Sequence, residues 1–400
     1  MNRTIKDDIC WVGFVDWNVR DFHGYETRRG SSYNAYLVLD EKPALIDAVK
    51  GPYAPELLAH VAERIDPGKL AYVVCNHAEP DHSGGLPAVM KACPQAELVC
   101  NAKCRESLSM HFDTSAWRFK VVADGETLSL GRRALQFFDT RMVHWPESMA
   151  TYVPESKLLF SMDAFGQHLA SSSRFDDEVP FDELMLEAKT YYANILMPFG
   201  TPIGRTLDKL SGLELEMVAP SHGVIWRKRF KDIFEAYRRW TRLEAGPKVL
   251  VVYDTMWKST EQMAHAVLEG ATRPGVDAKL INIRASNTTE IATEVLDAAC
   301  LAFGSATLNN CIMPQAAAAL TYLKGLKPVG KAGFFFGSYG WAKAAAQEAQ
   351  QYFEAMKLQV TREPLLSQFV PKPEILDECR AAGRQLAEKA LEISGKALAK

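Results

Sequence analysis

From Val249 onward the chain repeats one phrase: a short run of apolar, largely β-branched or aromatic residues, then a stretch with helical spacing. The runs are Val249-Leu-Val-Val-Tyr253, Ala278-Lys-Leu-Ile-Asn-Ile283, Cys300-Leu-Ala-Phe303 and Ala332-Gly-Phe-Phe-Phe336. A strand that is apolar at nearly every position is buried on both faces, so these belong to a parallel sheet with helices on each side. A short last strand is expected near Val360 to Leu366, ahead of a closing helix from about Glu374. Ala316–Ala319 is a compositionally biased tract and reads as plain helix. Ala245-Gly-Pro247 punctuates the chain just before this regular part, which predicts two domains, 1–246 and 247–400.

In an open parallel sheet, ligands bind beyond the carboxyl ends of the strands. Three such ends carry suggestive loops. Asp254-Thr-Met-Trp-Lys-Ser-Thr260 opens a helix, and the backbone N–H groups of a helix N-terminus can hold a phosphate. The plain alternative for this loop is a Ser/Thr-capped helix. It is neither a Walker loop nor Gly-x-Gly-x-x-Gly. The second loop is Gly304-Ser-Ala-Thr-Leu-Asn-Asn310 and the third Gly337-Ser-Tyr-Gly-Trp341. Their small residues permit close approach, while their amides and rings suit a flat heterocycle.

The first 246 residues mix short strands, turns and helices. Asn34-Ala-Tyr-Leu-Val-Leu39 and Pro43-Ala-Leu-Ile-Asp47 read as a hairpin. Pro55 to Ile65 has helical spacing, and residues 181–198 and 228–243 also look helical. After the apolar run Leu70-Ala-Tyr-Val-Val-Cys75 come His77, Glu79, Asp81 and His82, in the order His-x-Glu-x-Asp-His. In an extended segment, alternate positions 77, 79 and 81 share one side, so their side chains can converge. Gly84-Gly85 follows, where a tight backbone lets a metal or substrate approach.

Further donors stand at the ends of other apolar runs: His144 after Leu135–Phe138 and Met142-Val143, Asp163 after Lys157–Met162, and His222 after Leu215–Ala219. Alone, each reads equally as a capping or core residue. Together they supply enough imidazoles and carboxylates for two metal ions. His60, His111 and His265 read as structural or solvated, whereas His23 and His168 stay open, with His168 in reach of a substrate pocket. Tyr191 or Tyr192 is placed either to donate to a bound ligand or to pack. The basic stretch Trp226-Arg-Lys-Arg-Phe-Lys-Asp232 reads as a solvated helix face or as a docking face for a small acidic protein.

A net charge of −3 without a dense basic stripe argues against nucleic acid as a partner. No apolar run approaches the roughly 18 residues that span a bilayer, and the polar start Met1-Asn-Arg-Thr-Ile-Lys has no signal-peptide core. Eight cysteines without a Cys-x-x-Cys pair favour free thiols and a cytoplasmic location. The same absence excludes a fused metal-binding module built on two such knuckles.

The ordered set of donors resembles the metallo-β-lactamase fold family. Its zinc hydrolases usually carry a second His where this chain has Glu79; a carboxylate there makes the site harder and suits iron better than zinc. With the three strand-end loops, which resemble flavodoxin, the whole chain resembles the flavodiiron proteins. Val15-Asp-Trp-Asn18, Asp21-Phe-His-Gly-Tyr25, His144-Trp-Pro146 and Tyr191-Tyr-Ala-Asn194 strengthen the likeness. The resemblance implies an αββα sandwich followed by a flavodoxin-like doubly wound sheet, two non-haem irons and one FMN. It assigns His77, Glu79 and His144 to one iron, Asp81, His82 and His222 to the other, and Asp163 as the bridge. In some members the counterpart of His82 turns away and water takes its place. The FMN phosphate is expected on Thr255, Ser259 and Thr260. The isoalloxazine is expected near Thr307, Asn309, Tyr339 and Trp341, with Asn310, Ser338 and Gly340 in the same loops. Met256 and Trp257 either contact the ring or pack beside it.

The implied activity is reduction of O2 to water or NO to N2O, with electrons relayed through FMN from rubredoxin as a separate protein. The implied assembly is a head-to-tail homodimer, with a tetramer as the larger alternative. Two other classes compete: a zinc hydrolase with a flavodoxin-like appendage, and a non-catalytic electron carrier or gas sensor.

Overall fold

The computed structural model describes residues 4–398; residues 1–3, the start of the polar N-terminus, lie outside the described residues. Two compact units result. One comprises Met1–Tyr191 with Thr201–Arg238, the other Tyr192–Gly200 with Arg239–Lys400.

The first unit contains two large sheets. One runs in the order Thr4–Lys6, Ile9–Trp11, Tyr36–Val38, Ala44–Ile46, Tyr72–Val74, Glu97–Cys100, Arg118–Val121. The expected hairpin forms, with Tyr36–Val38 antiparallel to Ala44–Ile46, and the latter runs parallel to Tyr72–Val74. The other sheet orders Thr127–Ser129, Ala134–Asp139, Met149–Val153, Leu158–Met162 and Met217–Pro220. Side chains alternate along a strand, and the two faces have different neighbours. Tyr36, Val38, Ile46 and Val74 share a buried core with Phe137, Val153, Leu158 and Phe160 of the second sheet. Leu37, Leu45 and Val73 meet Leu57, Val61 and Leu108, from the helices Ala54–Ala62 and Ala102–His111. This sheet-on-sheet core with helices outside is the metallo-β-lactamase-like arrangement. The helical stretch from 181 is not uniform: an α-helix over Phe181–Tyr191 passes into a π-helical turn at Tyr192–Leu196.

In the second unit the strands order Asp277–Asn282, Lys248–Tyr253, Cys300–Gly304 and Ala332–Tyr339, all parallel. Every residue of Lys248–Tyr253 is buried, as a strand covered on both faces requires. Numbered along the chain this is the 2-1-3-4-5 order of a flavodoxin-like sheet. The expected last strand is two: Gln359–Val360 pairs with the start of Ala332–Tyr339, and Leu365–Gln368 with its end. Pro364 lies between them, where its missing N–H interrupts a ladder. The helix Pro373–Leu398 closes the unit. Among the described residues no helix is long and apolar enough to cross a membrane.

Candidate metal centre and flavin cavity

The donors of the first unit sit where strands end. Tyr72–Val74 delivers His77, Leu158–Met162 delivers Asp163, Met217–Pro220 delivers His222, and His144 lies between Ala134–Asp139 and Met149–Val153. The extended path expected through residues 77–81 stops early. A short helix occupies Pro80–Ser83, with Glu79 at its N-cap and proline at its first turn, the position where a fixed φ and a missing N–H fit best. The turn separates Asp81 and His82 from His77 and Glu79, so the hexapeptide serves two points rather than one.

Around the first point, His77 Nε2 stands 3.1 Å from Glu79 Oε2 and 3.4 Å from Asp163 Oδ2. His144 Nε2 is 3.2 Å from Glu79 Oε2 and 3.3 Å from Asp163 Oδ2. Around the second, His82 Nε2 lies 2.9 Å from Asp81 Oδ2 and 3.3 Å from Asp163 Oδ1. His222 Nε2 lies 3.2 and 3.5 Å from the same two oxygens. Asp163 therefore turns one carboxylate oxygen to each set. Donors at right angles, each about 2.1 Å from a shared ion, stand about 3 Å apart, which matches these separations.

The fit to metal is also visible in what the atoms lack. Both oxygens of Asp81 and of Asp163, and Nε2 of His82, His144 and His222, are buried without a hydrogen-bond partner despite their closeness. Nitrogen and oxygen this near without hydrogen-bond geometry have their lone pairs aimed at a common point. Leaving such groups buried and unpaired is costly, and a cation between them removes the cost.

The electrostatics agree. Burial disfavours a charged His144, but Asp163 and Glu79 outweigh it and lift its pKa to about 10. Burial likewise opposes charge on His82, yet Asp81 and Asp163 hold its pKa well above the ordinary value. Glu79 would rise on burial alone; the imidazoles of His144 and His77 beside it bring it down to about 2. The cluster demands positive charge.

Outer partners fix these donors. His77 Nδ1 is 2.8 Å from Glu147 Oε1, and His222 Nδ1 donates to the Ser32 carbonyl at 2.7 Å. Such contacts set the ring tautomer and orientation. Sequence reasoning missed Glu147, although its place just after His144-Trp-Pro146 was a usable signal. The open histidines gather here too. His23 Nε2 is 3.6 Å from Glu79 Oε1 and 3.7 Å from Asp81 Oδ2, and His168 Nδ1 meets Ser31 Oγ at 2.7 Å. Burial outweighs the neighbouring carboxylates and lowers the pKa of His23 to about 4, so it stays a neutral ring. The Tyr191 hydroxyl is buried without a hydrogen-bond partner, and its ring lies 5.9 Å from that of His222. Tyr192 falls in the other unit. The basic stretch near 228 is partly neutralised within the chain, since Arg227 pairs with Asp177 and Glu178 and Arg229 with Asp232.

In the second unit a cavity of about 580 Å³ opens at the carboxyl end of the sheet. All three expected loops line it: Met256, Trp257 and Ser259 from the first, Thr307, Asn309 and Asn310 from the second, Ser338, Tyr339, Gly340 and Trp341 from the third. Trp257 and Trp341 are 83% and 90% exposed, a poor state for indole unless something covers it. Thr260 does not line the cavity; it is buried, with Oγ1 3.0 Å from Ser338 Oγ. Thr255 is absent from the lining as well, but its Oγ1 is buried without a partner. The helix Ser259–Ala271 begins with no side-chain cap, leaving its first-turn amides for an anion. These features fit a flavin mononucleotide. The loop after Leu365–Gln368 also reaches the cavity through Phe369 and Val370, which sequence reasoning did not single out.

A paired metal cluster on a β-lactamase-like sandwich, joined in one chain to a flavodoxin-like cavity, defines a metalloflavoprotein class. The model for the ODP family beta lactamase matches residues 32–223 and that for flavodoxin residues 251–383. The chain is 45% identical over 391 residues to the nitric oxide reductase of Moorella thermoacetica, covering 96% of this chain and 98% of that one. It is 38% identical over 388 residues to the rubredoxin-oxygen oxidoreductase of Megalodesulfovibrio gigas, covering 96% of each. The solved flavodiiron protein of Giardia intestinalis superposes with a TM-score of 0.97 at 38% identity, over 99% of this chain and 98% of that one. The chain belongs to the flavodiiron protein family, and its cofactors are a non-haem diiron pair and FMN.

Proposed function

We propose that this chain is a reductase of a diatomic gas, taking O2 to water or NO to N2O with electrons from a separate rubredoxin. The observation that carries the metal half is Asp163, one oxygen in each of two imidazole–carboxylate sets. The relatives named above, one a nitric oxide reductase and one a rubredoxin-oxygen oxidoreductase, support the substrate class and donor.

The proposed ligands are His77, Glu79 and His144 for one iron and Asp81, His82 and His222 for the other, with Asp163 between. When bound, two irons and FMN supply up to four electrons, as reduction of O2 to two waters requires; two NO need two. The residues do the rest. Asp163 fixes the spacing of the two points, and Glu147 and the Ser32 carbonyl hold His77 and His222 in the tautomer that leaves Nε2 free. Glu79 and His144 are the more exposed ligands, at 16% and 11% of their side chains, so access is on their side while the rest of the cluster excludes water. Tyr191 has a free hydroxyl proton to offer to a substrate oxygen.

The proposed FMN contacts are the expected loop residues, with the phosphate at Thr255, Ser259 and the uncapped helix start, and Thr260 supporting from beneath. A functional division at 1–246 and 247–400 is proposed with them. The exposed Trp257 and Trp341 support a head-to-tail homodimer, or a tetramer of such pairs, that covers the flavin edge. Eight free cysteines, seven of them buried, support a cytoplasmic location. Glu79 and the flavin cavity count against a zinc hydrolase. Consumption of O2 and of NO by protein purified without oxygen, with reduced rubredoxin as donor, tests the proposal. Turnover of neither gas by iron- and flavin-loaded protein would leave only a carrier or sensor.

A further inference from the structure

Phe369 occupies an unusual place. It follows the strand Leu365–Gln368, which pairs in parallel with the last four residues of Ala332–Tyr339. Its backbone lies in the left-handed region at φ +56°, a conformation that costs a bulky side chain free energy and that persists only where the surroundings impose it. Two bonds impose it here. The Phe369 N–H donates to the Tyr339 carbonyl at 2.8 Å, and Gln368 Nε2 donates to the Gly340 carbonyl at 2.8 Å. The segment is thereby clamped to the third cavity loop. The ring is 61% exposed and Val370 beside it 64%, so neither side chain recovers the strain by burial within the chain. Both line the 580 Å³ cavity. The ring lies close to Gly340: a Cβ there would stand 3.4 Å from Phe369 Cε1, an ordinary van der Waals contact.

Resting on the flavin assignment of this cavity, we infer that Phe369, with Val370, forms a fourth wall of the FMN site. The strained backbone holds the phenyl ring ready to contact the isoalloxazine. A flat apolar ring held in place gains by offset or edge contact with another aromatic system, and an ordered loop loses little entropy on binding. The alternative is that the left-handed residue only turns the chain into Pro371 and the closing helix.

The two readings part at glycine, which adopts positive φ without strain. The test is FMN titration of the flavin-stripped full chain, read by quenching of flavin fluorescence, with apoprotein melting measured alongside. For Phe369→Gly the expected result is an FMN Kd raised about tenfold together with an apoprotein Tm above that of Phe369→Ala. Phe369→Leu, which keeps the strain and loses the flat ring, weakens FMN in the same direction, and Phe369→Tyr stays near wild type. An unchanged Kd in both the Gly and Leu variants overturns the inference while leaving the flavin assignment intact. A wild-type chain that takes up no FMN overturns both.

Discussion

The metal cluster and the flavin cavity are built by opposite means. The cluster gathers its donors from several strand ends, buries them almost completely, and leaves most of their converging atoms with no hydrogen-bond partner. The cavity is open, uses an uncapped helix start and backbone loops, and leaves two tryptophans largely in solvent. Charge explains the difference. Buried carboxylates and imidazoles are tolerable only if their geometry is set for the cation that neutralises them. A phosphate and a heterocycle ask less of individual side chains, because any helix start offers amides and any flat ring offers a face. One site depends on residue identity, the other on the shape of the loops.

The sharpest way to break this contrast is Asp163→Asn. Losing the shared carboxylate should remove most iron from both points and lower gas consumption by at least about 100-fold, while FMN content stays at wild type; metal analysis and flavin absorbance read both. Iron retained at both points would end the bridging role, and flavin lost with iron would end the independence of the two sites. Glu147→Ala touches no metal yet frees His77 Nδ1, and should weaken iron affinity by roughly 10- to 100-fold, measured by chelator competition. On the flavin side, Thr255→Val removes one hydroxyl and should raise the FMN Kd about tenfold with iron content unchanged. The smallest effect is expected from His82→Ala. Neither ring nitrogen of His82 has a hydrogen-bond partner, so it is less anchored than His77 or His222 among the proposed ligands. Its loss should weaken iron by under about tenfold, clearly less than His222→Ala under the same chelator.

The same contrast governs what the sequence disclosed. The seven metal-binding candidates were readable because imidazole and carboxylate are the chemistry, and they cluster just beyond apolar runs. What was hidden was the path between them. The turn at Pro80 sends Asp81 and His82 to a second point, and Glu147, although it directly follows His144-Trp-Pro146, acts on His77 far back in the chain. His23 stayed open because its reach depends on a left-handed backbone, φ +55°, ahead of Gly24 at +76°. In the flavin half the strand ends placed the three loops, and the residues named in them line the cavity except Thr255 and Thr260. Thr260 turns inward because it is the second residue of a helix lying on the sheet, a matter of packing rather than of pattern. Phe369 was missed because two short strands looked like one, and the loop beyond them carries no Gly or Asn to announce its left-handed turn.

The most direct test of the central claim is the iron, zinc and FMN content per chain of protein purified without oxygen. The account predicts about two irons and one FMN, as expected of a chain that carries both a hard, carboxylate-rich pair of sites and a flavodoxin-like cavity. Zinc in place of iron, with no flavin, would contradict it and make the chain a hydrolase.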